Sequence, residues 1–261
     1  MTAAIGPLPR LPLWRRPRFV RWALVIALLS LLEVATRTGV INKLTAPPPS
    51  LMVTELSKII GTAAFMEDLG RTLFTIAVAF AIGFLLGLPL GVLFWRVPGI
   101  GRVLEPFVVT MYAMPTLVFY PILLALMGLN AGPIITIAAL MALIPIALNT
   151  MVALRSIQPT LHKLAASVNC SRVQYYTKVL MPAATPLAIP GIRLGFIYTI
   201  IGTIAMEFIL ASRGIGFRTG LNYRDFNIPE MYGYVLVVVV LSVGVNSLFG
   251  LLERRIRRDM L

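Results

Sequence analysis

Apolar residues run in long blocks along this chain, and charged or proline-rich residues close each block. The blocks occupy Trp22–Leu32, Thr72–Trp95, Pro106–Met127, Pro133–Leu154, Leu187–Leu210 and Met231–Leu252. A helix of about 20 residues crosses roughly 30 Å of hydrocarbon. The pattern therefore predicts an all-α integral membrane protein of six spanning helices. Pro115 and Pro121 break the third block, and Pro145 lies inside the fourth. In the second block Gly83, Gly87 and Gly91 recur at every fourth residue. Such a small-x-x-x-small stripe lets a neighbouring helix approach closely. Between the blocks, Leu51–Ile60 follows Pro47–Pro48–Pro49 and reads as an amphipathic surface helix within a connector over 37–70. Arg96–Arg102 and Gly128–Gly132 read as short turns, and Ala211–Pro229 as a polar connector.

The longest polar interval, Arg155–Pro186, is patterned rather than random. Leu161, Leu164, Ala165 and Val168 follow the i, i+3, i+4, i+7 spacing of one helix face. Pro159 sits where a first helical turn tolerates a missing N–H. Asn169 marks the stop, because asparagine accepts the left-handed conformation that ends helices. Ser171 and Gln174 form a capping box that starts a second helix, with Val173, Tyr176 and Leu180 as its apolar stripe and Pro182 as its end. Two short amphipathic helices joined by a sharp turn suit a docking element for a soluble partner. A surface helix without a partner and a DNA-binding helix-turn-helix are the alternatives, and the close apolar spans on both sides argue against the second.

Composition narrows the class. The 261 residues are 58% hydrophobic and 13% charged, too apolar for a soluble domain of this size. The net charge of +13 would suggest nucleic acid in a soluble protein, but in a membrane protein it reports basic cytoplasmic loops. With the N-terminus inside, the inner segments hold Arg10, Arg15, Arg16, Arg18 and Arg21, then Arg96 and Arg102, then Arg155, Lys163, Arg172 and Lys178, then Arg254, Arg255, Arg257 and Arg258. The outer segments hold fewer: Arg37, Lys43, Lys58, Arg71, Arg213, Arg218 and Arg224. This asymmetry places both termini and the 155–186 loop in the cytoplasm. The whole chain reads as one membrane domain: a basic N-terminal segment 1–21, helices over 22–154, the loop 155–186, helices over 187–252 and a tail 253–261. A cleaved signal peptide is the alternative for the first block, and Arg15–Arg16 matches a twin-arginine start. No clear small-residue cleavage site follows, so a retained first helix is expected.

Candidate chemistry is sparse. Cys170 is the single cysteine, which excludes an internal disulfide and a cysteine-based metal site. His162 is the single histidine and reads as a solvated loop residue. The chain has no G-x-x-x-x-G-K-[ST] loop and no H-E-x-x-H, so neither ATP hydrolysis by that route nor zinc peptidase chemistry is expected. Glu207 lies in the outer part of the fifth span. A carboxylate there must face a partner, a cavity or another subunit. It reads either as a wall or gate of a translocation path, or as a structural acid paired with Arg213 or a neighbouring helix. Tyr112, Met114, Pro115 and Thr116 fall in mid-span, where a proline frees a backbone carbonyl and bends the helix. Asn149 could bond across helices, with packing as its simpler role. Glu105 is expected at the inner interface.

The run LAASVNCSRVQYYTKVLMPAATPLAIPGIRLG resembles the cytoplasmic signature loop of ABC-importer permeases, in particular those of nitrate, sulfonate and taurine importers. That pattern is E-A-A-x-x-x-G-A-S, a helix, then L-P-A-A-x-P. Ala165 matches the second alanine, Ser171 the serine, and Met181–Pro182–Ala183–Ala184 the L-P-A-A. Lys163 stands at the family glutamate, Leu164 at the first alanine and Asn169 at the glycine. The likeness runs from about Leu69 to the C-terminus. It includes Glu207 followed by Gly214–Ile215–Gly216, and a Pro-Thr at Pro115–Thr116. The resemblance implies a type I importer permease that pairs with a second permease copy. Each copy would dock one of two ABC ATPase subunits, which carry the ATP and magnesium, and an extracytoplasmic binding protein would deliver the solute. ATPase coupling would fall on Leu161, Lys163, Leu164, Ala165, Ala166, Ser167, Val168, Asn169, Cys170, Ser171 and Arg172. The path would involve Tyr112, Met114, Pro115, Thr116, Asn149 and Glu207. The implied solute is a small organic or inorganic anion such as a sulfonate. The chain itself would bind no cofactor, metal or nucleic acid and would sit in the bacterial inner membrane. A stand-alone secondary transporter or channel is the alternative, although no convincing internal repeat is visible. A membrane scaffold without transport is a third class.

Overall fold

A computed structural model describes residues 17–42, 45–114 and 116–258. Every regular element among the described residues is helical: α1 (Pro17–Arg37), α2 (Pro49–Ile59), α3 (Ala63–Arg96), α4 (Pro98–Ala113), a 3-10 turn (Thr116–Phe119), α5 (Tyr120–Met127), α6 (Gly132–Arg155), α7 (Pro159–Ser167), α8 (Arg172–Gln174), a π turn (Tyr175–Leu180), α9 (Met181–Leu210), α10 (Ile215–Arg224) and α11 (Ile228–Arg258). Among the described residues five helical runs are long and apolar enough to cross a membrane. A sixth span exists if the bent segment from Pro98 to Met127 is counted as one. Arg10, Arg15, Arg16, Lys43 and Pro115, and the side chains of Arg18, Tyr112, Arg254, Arg257 and Arg258, lie outside the described residues.

Helix α6 is the axis of the bundle. Ile137, Ala138, Ala142, Ile146 and Ala147 along it are fully buried. Between lipid-soluble helices there is little hydrophobic gain, so close van der Waals fit must hold them together. The glycine stripe supplies that fit. A Cβ added at Gly83 would lie 2.6 Å from Ala142, at Gly87 3.1 Å from Ile146, and at Gly91 2.7 Å from Thr150. The numbers rise together on both helices, so α3 and α6 run parallel. On the other flank Gly202 meets Ala138 and Met141, Gly195 meets Ile146, and Gly191 meets Asn149. There the numbers run oppositely, so α9 is antiparallel to α6.

Several expected boundaries are corrected. The second span starts at Ala63 rather than Thr72, because the Thr62 side chain caps the helix by accepting from the Phe65 N–H at 3.2 Å. The Arg96–Arg102 turn shrinks to Val97, since Pro98 pre-sets the first turn of α4. The third block is not one helix from Pro106. It divides into α4 and a second piece from Thr116 to Met127, bent by 90° relative to each other. Pro182 does not end its helix. The backbone widens to a π turn just before it, where the Met181 N–H donates to the Tyr176 carbonyl. The proline ring then avoids the carbonyl it would strike in a regular helix. The fifth apolar block is consequently the distal part of a continuous run from Arg172 to Leu210. The connector after it contains α10, which the polar composition concealed. The Leu51–Ile60 helix (now α2) and the Gly128–Gly132 turn hold: Gly128 has φ +78°, and the Asn130 side chain bonds Met127 and Gly132.

Candidate functional site

Two places carry polar structure beyond what packing demands, one at each end of the α3–α6–α9 core. The first is α7 and its turn. Pro159 opens the helix, and Asn169 stops it at φ +51°. Both bonds of the capping box are made: the Gln174 N–H donates to Ser171 Oγ at 3.3 Å, and the Ser171 N–H donates to Gln174 Oε1 at 3.0 Å. His162 is not merely solvated. It is half-buried, and its Nδ1 lies 2.6 Å from the Tyr175 hydroxyl, tying α7 to the π turn. Leu161 packs on a cluster of Leu154, Ile157, Leu180 and Ala184, and Ala165 is buried. Those two coupling candidates therefore face the body of the protein. Leu164 (59% exposed), Val168 (62%) and Val173 (71%) are exposed, and Leu164 and Val168 line a surface groove with Leu161, Ala165, Val179 and Pro182. Lys163, Ala166, Ser167, Asn169, Ser171 and Arg172 are exposed as well, and Cys170 is half-buried. A 9-residue helix anchored through Leu161 and Ala165, with large exposed apolar side chains beside them, is built for contact with something else. Behind it, Arg155 pairs with Glu105 at 3.3 Å.

The second place lies at the far end. Glu207 is 2% exposed. The Thr72 hydroxyl donates across its two oxygens at 2.8 and 3.0 Å, and the Gly216 N–H donates at 3.0 Å. The Gly214 N–H donates to Asp68 Oδ1 at 2.7 Å and the Ile215 N–H to Thr72 Oγ1 at 2.9 Å. Three side chains from α3 and α9 thus cap the start of α10, whose own N-cap is a glycine without a side chain. Gly214 has φ +112°, and an added Cβ would lie 2.6 Å from the Glu207 carboxylate. Arg218 donates to Asp68 Oδ2 at 2.6 Å, and this bond raises the guanidinium pKa above its ordinary value. Arg213 does not pair with Glu207, as one sequence alternative had it. It donates to Glu67 at 2.7 Å.

Glu207 also lines a cavity of about 100 Å³, together with Arg71, Thr75, Tyr120, Ser212 and neighbouring apolar groups. Met114, Thr116 and Asn149 are elsewhere. Met114 caps α4, Thr116 starts the 3-10 turn, and Asn149 packs on Gly191 while donating to its own helix at the Pro145 carbonyl, 2.8 Å away. Sequence reasoning missed Asp68, Arg71, Thr72 and Thr75. Their 3–4 residue spacing places them on one helical face, and that polar stripe was the available signal that the helix starts before Thr72.

Residues 79–258 match the family described as the binding-protein-dependent transport system inner membrane component. The chain belongs to this family. The permease is 28% identical over 253 residues to the taurine transport system permease protein TauC of Escherichia coli (strain K12), covering 93% of this chain and 92% of that one. It is 26% identical over 245 residues to the nitrate import permease protein NrtB of Synechocystis sp., with 91% and 86% covered. Among solved structures, the inward-facing MetNI methionine ABC transporter superposes with a TM-score of 0.66 at 20% identity, covering 74% of the permease and 96% of its own chain. An amino acid ABC transporter with histidines gives 0.63 at 20% identity, over 77% and 97%. The fold is that of a type I importer permease.

Proposed function

We propose that this permease forms half of the translocation path of an ATP-driven importer for a small oxyanion of the sulfonate class. Two copies pair in the inner membrane with both termini in the cytoplasm. An extracytoplasmic binding protein delivers the solute. ATP and magnesium bind a separate ATPase subunit, one per permease, and α7 with its turn (Leu161 to Arg172) seats in a cleft of that ATPase. The observation that carries this reading is the set of exposed apolar side chains on α7, its turn and α8 (Leu164, Val168, Val173), held in place by the capping box and the His162–Tyr175 contact. A packed short helix moves as one body and so transmits displacement to α6 and α9, to which it is joined at both ends. The relatives' taurine and nitrate substrates support the solute class. Tyr112, Met114, Pro115, Thr116, Asn149 and Glu207 remain the candidate path residues, with Glu207 the one that lines a cavity.

Affinity purification of the tagged permease from native membrane tests this directly. An ABC ATPase should accompany the unaltered chain. It should be lost from a Lys163→Glu/Val173→Asp variant that is still inserted at normal levels. Recovery of the permease without any ATPase in mild detergent would instead favour a stand-alone transporter.

A further inference from the structure

Helix α10 is folded back onto the membrane end of α9. A Cβ added at Gly216 would lie 2.5 Å from the Ile204 carbonyl, and one at Gly220 would run into the Phe208 carbonyl. Ile204 and Phe208 belong to the fifth apolar block, so α10 crosses α9 where hydrocarbon gives way to head groups. The helix then ends in a Schellman stop: the Phe226 N–H donates to the Tyr223 carbonyl at 3.3 Å, and the Asn227 N–H to the Asn222 carbonyl at 2.9 Å. Glycine usually fills the left-handed position of such a stop, but here it is Phe226, at φ +56°. The stop of α7 uses Asn169, which tolerates that conformation. A phenylalanine there is strained, and at 80% exposure it gains almost no packing within the chain. Tyr223 is exposed as well, with its ring 6.0 Å from that of Phe208. Phe208 in turn closes one end of an apolar groove of about 380 Å³ between α9 and α11, walled by Ile200, Ile201, Ile204, Ile209 and Val238. From Ile200 to Ile209 the groove follows about 13 Å of helix, close to the roughly 15 Å hydrocarbon depth of one leaflet. Beside Tyr223, Arg224 makes no hydrogen bond and no ion pair among the described residues. Asp225 is likewise unpaired among them, so the tip is neutral overall, and its guanidinium suits a single phosphate rather than an anionic surface.

We propose that one phospholipid of the leaflet at this end binds here, with an acyl chain in the α9–α11 groove, its phosphate on Arg224, and Phe226 and Tyr223 seated at the head-group boundary. Aromatic rings are favoured at that depth, which gives the strained turn a use that water would not. The other end of α10 is capped by Asp68, Thr72 and Glu207, so the bound lipid braces the helix that closes the Glu207 site. The inference goes beyond the importer reading and requires neither an ATPase nor a solute.

The test is native mass spectrometry of the intact permease released from nanodiscs of phosphatidylethanolamine and phosphatidylglycerol in equal parts. One phospholipid per chain should survive activation that strips the rest. Arg224→Gln, at an exposed side chain with no partner to lose among the described residues, should lower its retention roughly 10-fold, the effect of one lost charge-assisted contact. Ala205→Phe, which fills the groove from its wall, should lower it as much. Phe226→Trp, which keeps the aromatic ring, reports the depth of the tip. Its added fluorescence should be quenched by phospholipids spin-labelled near the ester and only weakly by iodide in the water. No retained phospholipid, retention unmoved by Arg224→Gln, or quenching by iodide without quenching by lipid would each overturn the site. A dimer that Ala205→Phe splits, with no lipid retained, would show a second copy of the chain on the groove and would overturn it equally.

Discussion

Thr72 stands between two groups that both depend on it. Its hydroxyl donates to Glu207 and accepts from the Ile215 N–H, so one side chain joins α3, α9 and α10. Thr72→Val keeps the shape and removes both bonds. It leaves a buried carboxylate short of a donor and a buried N–H short of an acceptor, each worth about 1–3 kcal/mol. A clear drop in the melting temperature of the purified protein is expected, and Thr72→Ser should restore it. Equal melting of the valine and serine variants would mean that the hydroxyl is irrelevant. Glu207 was legible from the sequence as an expensive acid in an apolar helix. Its partners were not, because they are 135 residues away or on an unrecognised helix. The polar stripe Asp68–Thr72–Thr75 straddled the expected boundary, with Asp68 in the connector and Thr72 and Thr75 opening an apolar block, and so was not read as one face.

Elements were legible where one cause decides them. The α7 turn follows from Pro159, Asn169 and the Ser171–Gln174 box, all local, and it forms as expected. The glycine stripe of α3 was also visible, because close packing in lipid leaves a period of four in the sequence. Boundaries failed where backbone geometry outvotes residue type. Pro182 is tolerated by the π turn, and Val97 alone serves as the joint between α3 and α4. The stripe gives a sharp contrast between glycines. At Gly91 a Cβ would come within 2.5 Å of the Ala147 carbonyl, whereas at Gly244 on α11 it would meet nothing within 4 Å. Gly91→Val should therefore force α3 off α6 and destabilise by about 1–3 kcal/mol or more. Gly244→Ala should be neutral or stabilise by roughly 0.5–1 kcal/mol through helix propensity. Thermal unfolding in detergent separates the two, and indistinguishable curves would refute the tight α3–α6 seam.

At the scale of the molecule, the parallel α3–α6 pair with the bent α4–α5 segment between them requires the chain to cross and return between those two helices. Antiparallel α9 then puts α7 at one end of the core and the Glu207 cavity at the other. The basic residues around α7 and the C-terminus predict that this end faces the cytoplasm, and the single cysteine makes that orientation measurable. Cys170 sits in the turn after α7 and is half-buried. A membrane-impermeant maleimide should leave it unlabelled in spheroplasts and label it in inside-out vesicles. Because the same turn is where an ATPase would seat, stripping peripheral proteins from those vesicles should raise the labelling rate several-fold, and adding the ATPase back should lower it. Labelling in intact spheroplasts would invert the molecule, placing α7 outside and the Glu207 cavity inside, and the docking role of α7 would not survive it.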